Sequence, residues 1–211
     1  MKSKICIIDY GVGNIGTLVN LVQQANLEYC VSSNPEDVLS TPTALLAGVG
    51  SFDYGMSKLD ELGITKALRV KATDPQSKIV GICLGMQLLF EGSEEGEMPG
   101  IGILHGVSTR FPTTLKNSNL RVPHMGWSTI SRSQSQSSLS NRYEDQRFYF
   151  VHSYFVKPTN SEIVKYEAHY GVNFPAIIES GNVLAAQFHP EKSSKQGRAL
   201  LLEMLTSHHE S

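Results

Sequence analysis

A chain of 211 residues, 40% hydrophobic and 18% charged, carries enough apolar side chain for one domain with a sizeable core. Its formal net charge of −2, with no basic block, argues against nucleic acid as the primary partner. Three cysteines without a CxxC or Cys/His spacing argue against a disulfide framework or a zinc site, and no apolar run reaches membrane-spanning length, so a cytoplasmic protein without metal or cofactor is expected.

The first half alternates between two periodicities. Ile5–Asp9 reads as a buried strand. Asn14–Asn26 reads as an amphipathic helix, with Ile15, Leu18, Val19 and Val22 on one face. Between them, Gly11-Val12-Gly13-Asn14-Ile15-Gly16 fits a dinucleotide-binding pattern, which also needs an acid at the end of the second strand. The second strand, Tyr29–Ser32, runs into Ser33-Asn34 without one, so the glycines read as a tight turn with Asn14 capping the helix. Ala44–Gly48 is a further strand, Met56–Lys71 a second helix, Lys78–Cys83 a strand and Gly85–Glu91 a helix. Such alternation predicts an α/β fold with a parallel sheet covered by helices. Cys6 and Cys30 fall inside apolar runs and read as buried core thiols.

The second half changes character. Ser128–Gln146 (128–147 at its widest) is rich in Ser, Gln and Asn and reads as an exposed loop or hairpin tip within the same domain. Phe148–Lys157, Ile163–Tyr170, Ala176–Glu179 and Val183–Phe188 are short apolar runs that predict mostly antiparallel strands. Ser194–His208 closes the chain as a helix.

The chemistry concentrates in Gly81-Ile82-Cys83-Leu84-Gly85-Met86-Gln87 and His189-Pro190-Glu191. The first is a strand, a glycine-bracketed turn and a helix, with sulfur where a hydrolase elbow carries its nucleophile. A thiol of pKa ~8.5 needs a nearby base or a helix N-terminus to attack an acyl carbon as thiolate. The second segment supplies an imidazole and a carboxylate two residues apart, on one side of extended backbone. Together they predict a Cys83–His189–Glu191 triad for acyl transfer. Gly48-Val49-Gly50-Ser51 ends a strand with small residues, so a backbone N–H there, with that of Leu84, suits a tetrahedral oxyanion. His105, His169, His208 and His209 are weaker candidates.

These two segments resemble the class I (triad) glutamine amidotransferases. Further stretches narrow the resemblance to HisH-type glutaminase subunits of imidazole glycerol phosphate synthase: Asp9-Tyr10-Gly11-Val12-Gly13-Asn14, Phe90-Glu91-Gly92-Ser93-Glu94-Glu95, Val122-Pro123-His124-Met125-Gly126-Trp127, Phe150-Val151-His152-Ser153-Tyr154 and His189-Pro190-Glu191-Lys192-Ser193-Ser194. The resemblance implies a three-layer fold: a mostly parallel central sheet flanked by helices, with an added antiparallel portion in the second half. It also implies hydrolysis of L-glutamine through a thioester on Cys83, with ammonia passed to a (βα)8-barrel cyclase in histidine biosynthesis. By position, Gly50, Gln87, Glu95, Ser153 and Tyr154 would bind glutamine, and Val49 and Leu84 would form the oxyanion hole. Pro123, His124, Met125, Gly126, Trp127, Tyr149 and Lys192 would face the partner.

Two positions depart from that pattern. Ala47 stands where the family has proline, and Ser128 where it has asparagine. They leave open a paralogue serving a sugar amidotransferase. The complete triad argues against a silent barrel-binding subunit. Gln87, Glu95 and the Pro123–Trp127 segment favour an amidotransferase over a Cys-His peptidase.

Overall fold

The computed structural model describes residues 4–112, 120–133 and 137–207. The central part of the Ser/Gln stretch, 134–136, and the His208–His209 pair lie outside them.

The chain runs β1 (Ile5–Ile8), α1 (Ile15–Gln24), β2 (Tyr29–Ser32), α2 (Pro35–Ser40), β3 (Thr43–Gly48), α3 (Phe52–Glu61), α4 (Ile64–Ala72), β4 (Lys78–Cys83), α5 (Leu84–Leu88), β5 (Gly92–Ser93) and β6 (Gly106–Arg110). It continues through β7 (His124–Arg132), β8 (Arg147–His152), β9 (Tyr154–Pro158), β10 (Val164–His169), β11 (Asn173–Ser180), β12 (Val183–Ala186) and α6 (Ser194–Thr206). Nine strands form one sheet in the order β2-β1-β3-β4-β12-β11-β10-β7-β8. Neighbours from β2 to β12 pair parallel, and those from β12 to β8 antiparallel. β5, β6 and β9 make a second, small sheet.

Strand alternation divides the core into two layers. Ile5, Ile7, Leu45, Val80, Ile82 and Leu184 pack with Leu18 and Val22 of α1 and Leu200, Leu201 and Met204 of α6. Cys6, Ile8, Leu46, Ile79, Val183 and Ala185 pack on the other face with residues of α2, α3, α4 and α5. The central strands are buried on both sides, as helix-covered parallel strands are. The α/β architecture and the antiparallel second half agree with the sequence reading.

Several local readings change. The helix expected over Met56–Lys71 is two, broken at Gly63, whose left-handed φ of +71° stops α3 and redirects the chain into α4. α2 was not expected, although Asn34-Pro35 starts it: the Asn34 side chain accepts the Glu36 N–H at 3.0 Å, and proline fills the first turn. Asn14 stands at the start of α1 but makes no side-chain capping bond. Cys30 is only partly buried. Ser128–Arg132 is not loop but the second half of β7, and Leu139 and Tyr143, further along the same stretch, are buried in the core. The single run Phe148–Lys157 is divided at Ser153, where the chain leaves β8 in the large sheet and enters β9 in the small one.

Glycine packs α5 onto the sheet. A Cβ on Gly85 would lie 1.9 Å from the Leu46 carbonyl oxygen, and one on Gly81 would meet Leu89 Cδ1 at 2.9 Å. Gly85→Ala therefore pushes backbone against backbone. It is expected to destabilise the fold by about 1–3 kcal/mol, read as a lowered urea midpoint; an unchanged midpoint would mean that α5 does not seat on β3 as described.

Candidate active site

Cys83 ends β4 at φ +53° and ψ −111°, a conformation that non-glycine residues avoid, and α5 begins at the next residue. Such backbone costs about 1–3 kcal/mol and persists only where its surroundings enforce it. Here the parallel pairing of β4 with β3 and β12 holds one side, and the glycine contacts beneath α5 hold the other. The result is the strand–turn–helix elbow expected from the sequence, with Sγ almost fully buried and the Leu84 N–H at the head of α5.

The register of β12 brings the second segment to the elbow. Ala186 stands opposite Ile82, so the chain leaving β12 passes Cys83 through Gln187 to His189. The Gln187 amide nitrogen lies 3.9 Å from Cys83 Sγ, as does the Val151 carbonyl oxygen. His189 Nδ1 lies 2.8 Å from Glu191 Oε1. The sequence placed these two on one side of extended backbone. His189 is extended, but Glu191 comes round in a 3-10 turn over Pro190–Lys192. β8 fixes that turn: His189 N–H donates to the Tyr149 carbonyl at 2.9 Å, and Tyr149 N–H donates to Ser193 Oγ at 2.9 Å.

Electrostatics tie the three groups together. Burial opposes charge on His189, but the proximity of Cys83, hydrogen bonding to Glu191, and the negative charge of both outweigh it and push the imidazole up to about 9. Among the described residues its buried Nε2 has no partner within hydrogen-bond distance, and Cys83 acts on it mainly through proximity and charge. Thiolate is the nucleophilic form of a cysteine, and a neighbouring base is what generates it.

A cavity of about 200 Å³ opens over the sulfur, lined by Val49, Gly50, Cys83, Leu84, Gln87, Glu95, Pro123, Val151, His152, Ser153 and Tyr154. This is below the ~300–1,000 Å³ of drug-sized sites and suits a single amino acid. Gln87 donates to the Tyr154 carbonyl at 2.9 Å and to Gln187 Oε1 at 3.1 Å. Glu95 accepts the Phe52 N–H at 2.9 Å, at the start of α3. Asp53 on the same turn accepts the N–H groups of Glu97 and Met98 at 3.0 Å each. These bonds pin the Glu95 loop beside Val49 and Gly50. Gly50 holds φ +146°, and Val49 is half exposed.

The early glycine motif has its place here. A Cβ on Gly13 would lie 3.2 Å from the Gly48 Cα, and one on Gly48 would lie 2.1 Å from the Tyr10 hydroxyl. The glycine turn thus backs the end of β3, just before Val49, at close range. Among the described residues Tyr10 OH is buried without a hydrogen-bond partner, and burial followed by the Cys83 charge raises its phenol above the ordinary value.

Of the expected partner-facing residues, Met125 and Trp127 are strongly exposed, Pro123 and Lys192 are exposed, and Gly126 and Tyr149 are intermediate. Trp127 meets Tyr149 edge-on with ring centroids 6.1 Å apart. His124 does not belong with them. It is 2% exposed, because alternation along β7 turns it inward while Met125 points out. It stacks on Tyr170 at 4.0 Å and on Phe150 at 5.0 Å. Sequence reasoning gave no role to Gln187, His152 or Tyr10. Gln187 was within reach of it, lying two residues before His189 on the same extended stretch.

Comparison with known proteins gives the family. The glutamine amidotransferase class-I family matches residues 6–207. Imidazole glycerol phosphate synthase subunit HisH 2 of Methanococcus maripaludis is 37% identical over 197 residues, 93% of this chain and 96% of that protein. Subunit HisH of Halalkalibacterium halodurans is 40% identical over 197 residues, covering 92% of each. Among solved structures, a glutamine amidotransferase superposes with TM-score 0.71 at 17% identity over 96% of this chain and 99% of that one. PurLQS of Thermotoga maritima gives 0.66 at 20% identity over 97% and 98%. These last two bear on the fold.

The raised His189 sets a pH signature. The stabilisation gained by its charged form is fully present below pH ~6.5, the ordinary histidine value, and is lost as pH rises through about 9. NMR titration of the imidazole should place its midpoint near 9, and Cys83→Ser should move that midpoint down. A midpoint near the ordinary value in the unmodified chain would separate His189 from Cys83.

Proposed function

As the chain belongs to the class-I glutamine amidotransferases, we propose that it is a HisH-type glutaminase subunit of imidazole glycerol phosphate synthase. In this reading it hydrolyses L-glutamine to glutamate and ammonia and hands the ammonia to a (βα)8-barrel cyclase. The observation that carries the reading is Cys83 lining an amino-acid-sized cavity while interacting with the His189–Glu191 pair.

The Cys83 thiolate attacks the side-chain amide carbon of glutamine, and the carbonyl oxygen becomes an oxyanion. Backbone N–H groups of Leu84 and Val49 receive that charge; one such donor is worth about 3 kcal/mol of barrier. His189 gives its proton to the departing nitrogen, the C–N bond breaks, and ammonia and a Cys83 thioester result. His189, now neutral, takes a proton from water as the water attacks the thioester. The thiolate leaves, and glutamate forms. Glu191 holds the ring through Nδ1 and stabilises its charged state.

The partner face is the exposed side of the β7–β8 hairpin, where Met125, Trp127 and Tyr149 stand beside Pro123 at the cavity mouth. Exposed aromatics and methionine next to a site are the residues that interfaces concentrate. The Val49 strand, with Gly48 and Gly50 at its sides, is the element that would present or withhold an oxyanion donor as the partner loads.

Glutamate release should rise strongly when a cyclase carrying its ribotide ligand is added, and Cys83→Ala should abolish it. Failure to respond, while the cyclase works on free ammonia, would assign another acceptor, such as a sugar amidotransferase. Trp127→Ala should weaken the complex about tenfold or more with the fold intact, measured by titration calorimetry. Gly50→Ala should alter the stimulation factor; identical stimulation would remove that strand from gating.

A further inference from the structure

Beside the cavity runs a chain of hydrogen bonds whose polarity follows from its inner end. His152 Nδ1 lies 2.8 Å from the Tyr154 carbonyl oxygen. A carbonyl only accepts, so Nδ1 carries the hydrogen. His152 is buried and its pKa falls to about 3, which leaves the ring neutral with a lone pair on Nε2. His124 Nδ1 lies 3.1 Å from that nitrogen and must be its donor. Burial takes His124 down to about 4, so it too is neutral, and its Nε2 accepts from Ser128 Oγ at 2.9 Å. In a straight strand, residues four apart are separated by ~13 Å. Gly126, at φ +146°, lies between His124 and Ser128 and bends β7 enough for them to meet.

The inner end bears on the cavity. Phe111 N–H donates to the Ser153 carbonyl at 3.1 Å, which makes that pair a bonded rung between β9 and the segment after β6. Bonded and unbonded pairs alternate in antiparallel ladders, so the next residue, Tyr154, turns its N–H and C=O away from β6. Its carbonyl accepts from both His152 and Gln87, and Tyr154 lines the cavity.

We propose that Ser128 and His124 are positioning residues for the substrate, acting through His152: their hydrogen-bond chain holds in place the ring that clamps the Tyr154 carbonyl, and so sets the β9 edge that contacts the bound amino acid. The substrate half of this rests on the glutaminase reading. The Tyr154 carbonyl sets the polarity of the chain, and Ser128 closes its outer end. Without the Ser128 hydroxyl, the buried Nε2 of His124 loses its donor, and the ring loses the bond that holds it against His152. Because Ser128 follows the exposed Trp127 on β7, the outer end of the chain sits on the strand that also carries Met125 and Trp127.

The test has two arms on the full-length chain. Ring-nitrogen NMR at pH 7 should find His124 and His152 both neutral with hydrogen on Nδ1, and Ser128→Ala should shift the His152 Nδ1–H resonance as its bond to Tyr154 loosens. Glutamine kinetics of Ser128→Ala should show KM raised about fivefold, the effect of one neutral hydrogen bond, with kcat within about twofold. Ser128→Thr, which keeps the hydroxyl, should restore both. Nε2–H tautomers in the unmodified chain, or a shifted His152 resonance with unchanged KM, would overturn the proposal. A merely structural serine would lower thermal stability and move neither readout. Absence of any glutamine turnover would sink the glutaminase reading and the substrate half with it, while the tautomers still judge the relay.

Discussion

The site depends on one backbone constraint: Cys83 is held in the left-handed region at the end of a strand buried on both faces. Nothing local favours that conformation. It survives because β4 is locked between β3 and β12, and because α5 is drawn down until Gly85 touches the Leu46 carbonyl. The helix therefore starts one residue after the sulfur. Core packing and the placement of the sulfur are thus one arrangement, and relaxing the turn would lose both.

The second dependence is topological. β12, late in the chain, pairs parallel with β4 in the middle of the sheet. The first half supplies Cys83 and the second half His189, joined by a ladder of backbone bonds between two fully buried strands. β12 also pairs antiparallel with β11 and so is the seam where the parallel and antiparallel parts of the sheet meet. Ligands in open α/β sheets sit beyond the carboxyl ends of parallel strands. Cys83, Gly48 and Gln187 are all found there, at or just past the ends of β4, β3 and β12.

Much of this was legible in the residues. The apolar runs of the buried strands and the glycine bracket around Cys83 announced the architecture and the elbow, because burial on both faces leaves a continuous hydrophobic signature. What stayed hidden depends on neighbours distant in sequence. Gly63 divides a helix that periodicity alone joins. His124 lies in a run of exposed residues, and only its partners Phe150, Tyr170 and His152 show that it turns inward. The early glycine turn matches a nucleotide motif, and its use, a close approach to the end of β3, is visible only once β1 and β3 are paired. Ser128–Arg132 has the polar composition of a loop yet is strand, because β8 and β10 supply its backbone partners and the side chains that face water need no apolar character.

Tyr149 shows how closely these parts are joined. Its ring touches Trp127 on the outer face, while its main chain holds His189 on one side and Ser193 on the other. The surface of the hairpin and the imidazole share a single residue, with no flexible element between them. Anyone redesigning the surface of that hairpin would be adjusting the His189 imidazole at the same time. A shift of a few tenths of an ångström in β8, harmless to affinity, would surface as a turnover defect. Specificity and rate in this scaffold are consequently inherited together, and directed evolution that selects for only one of them would drag the other along.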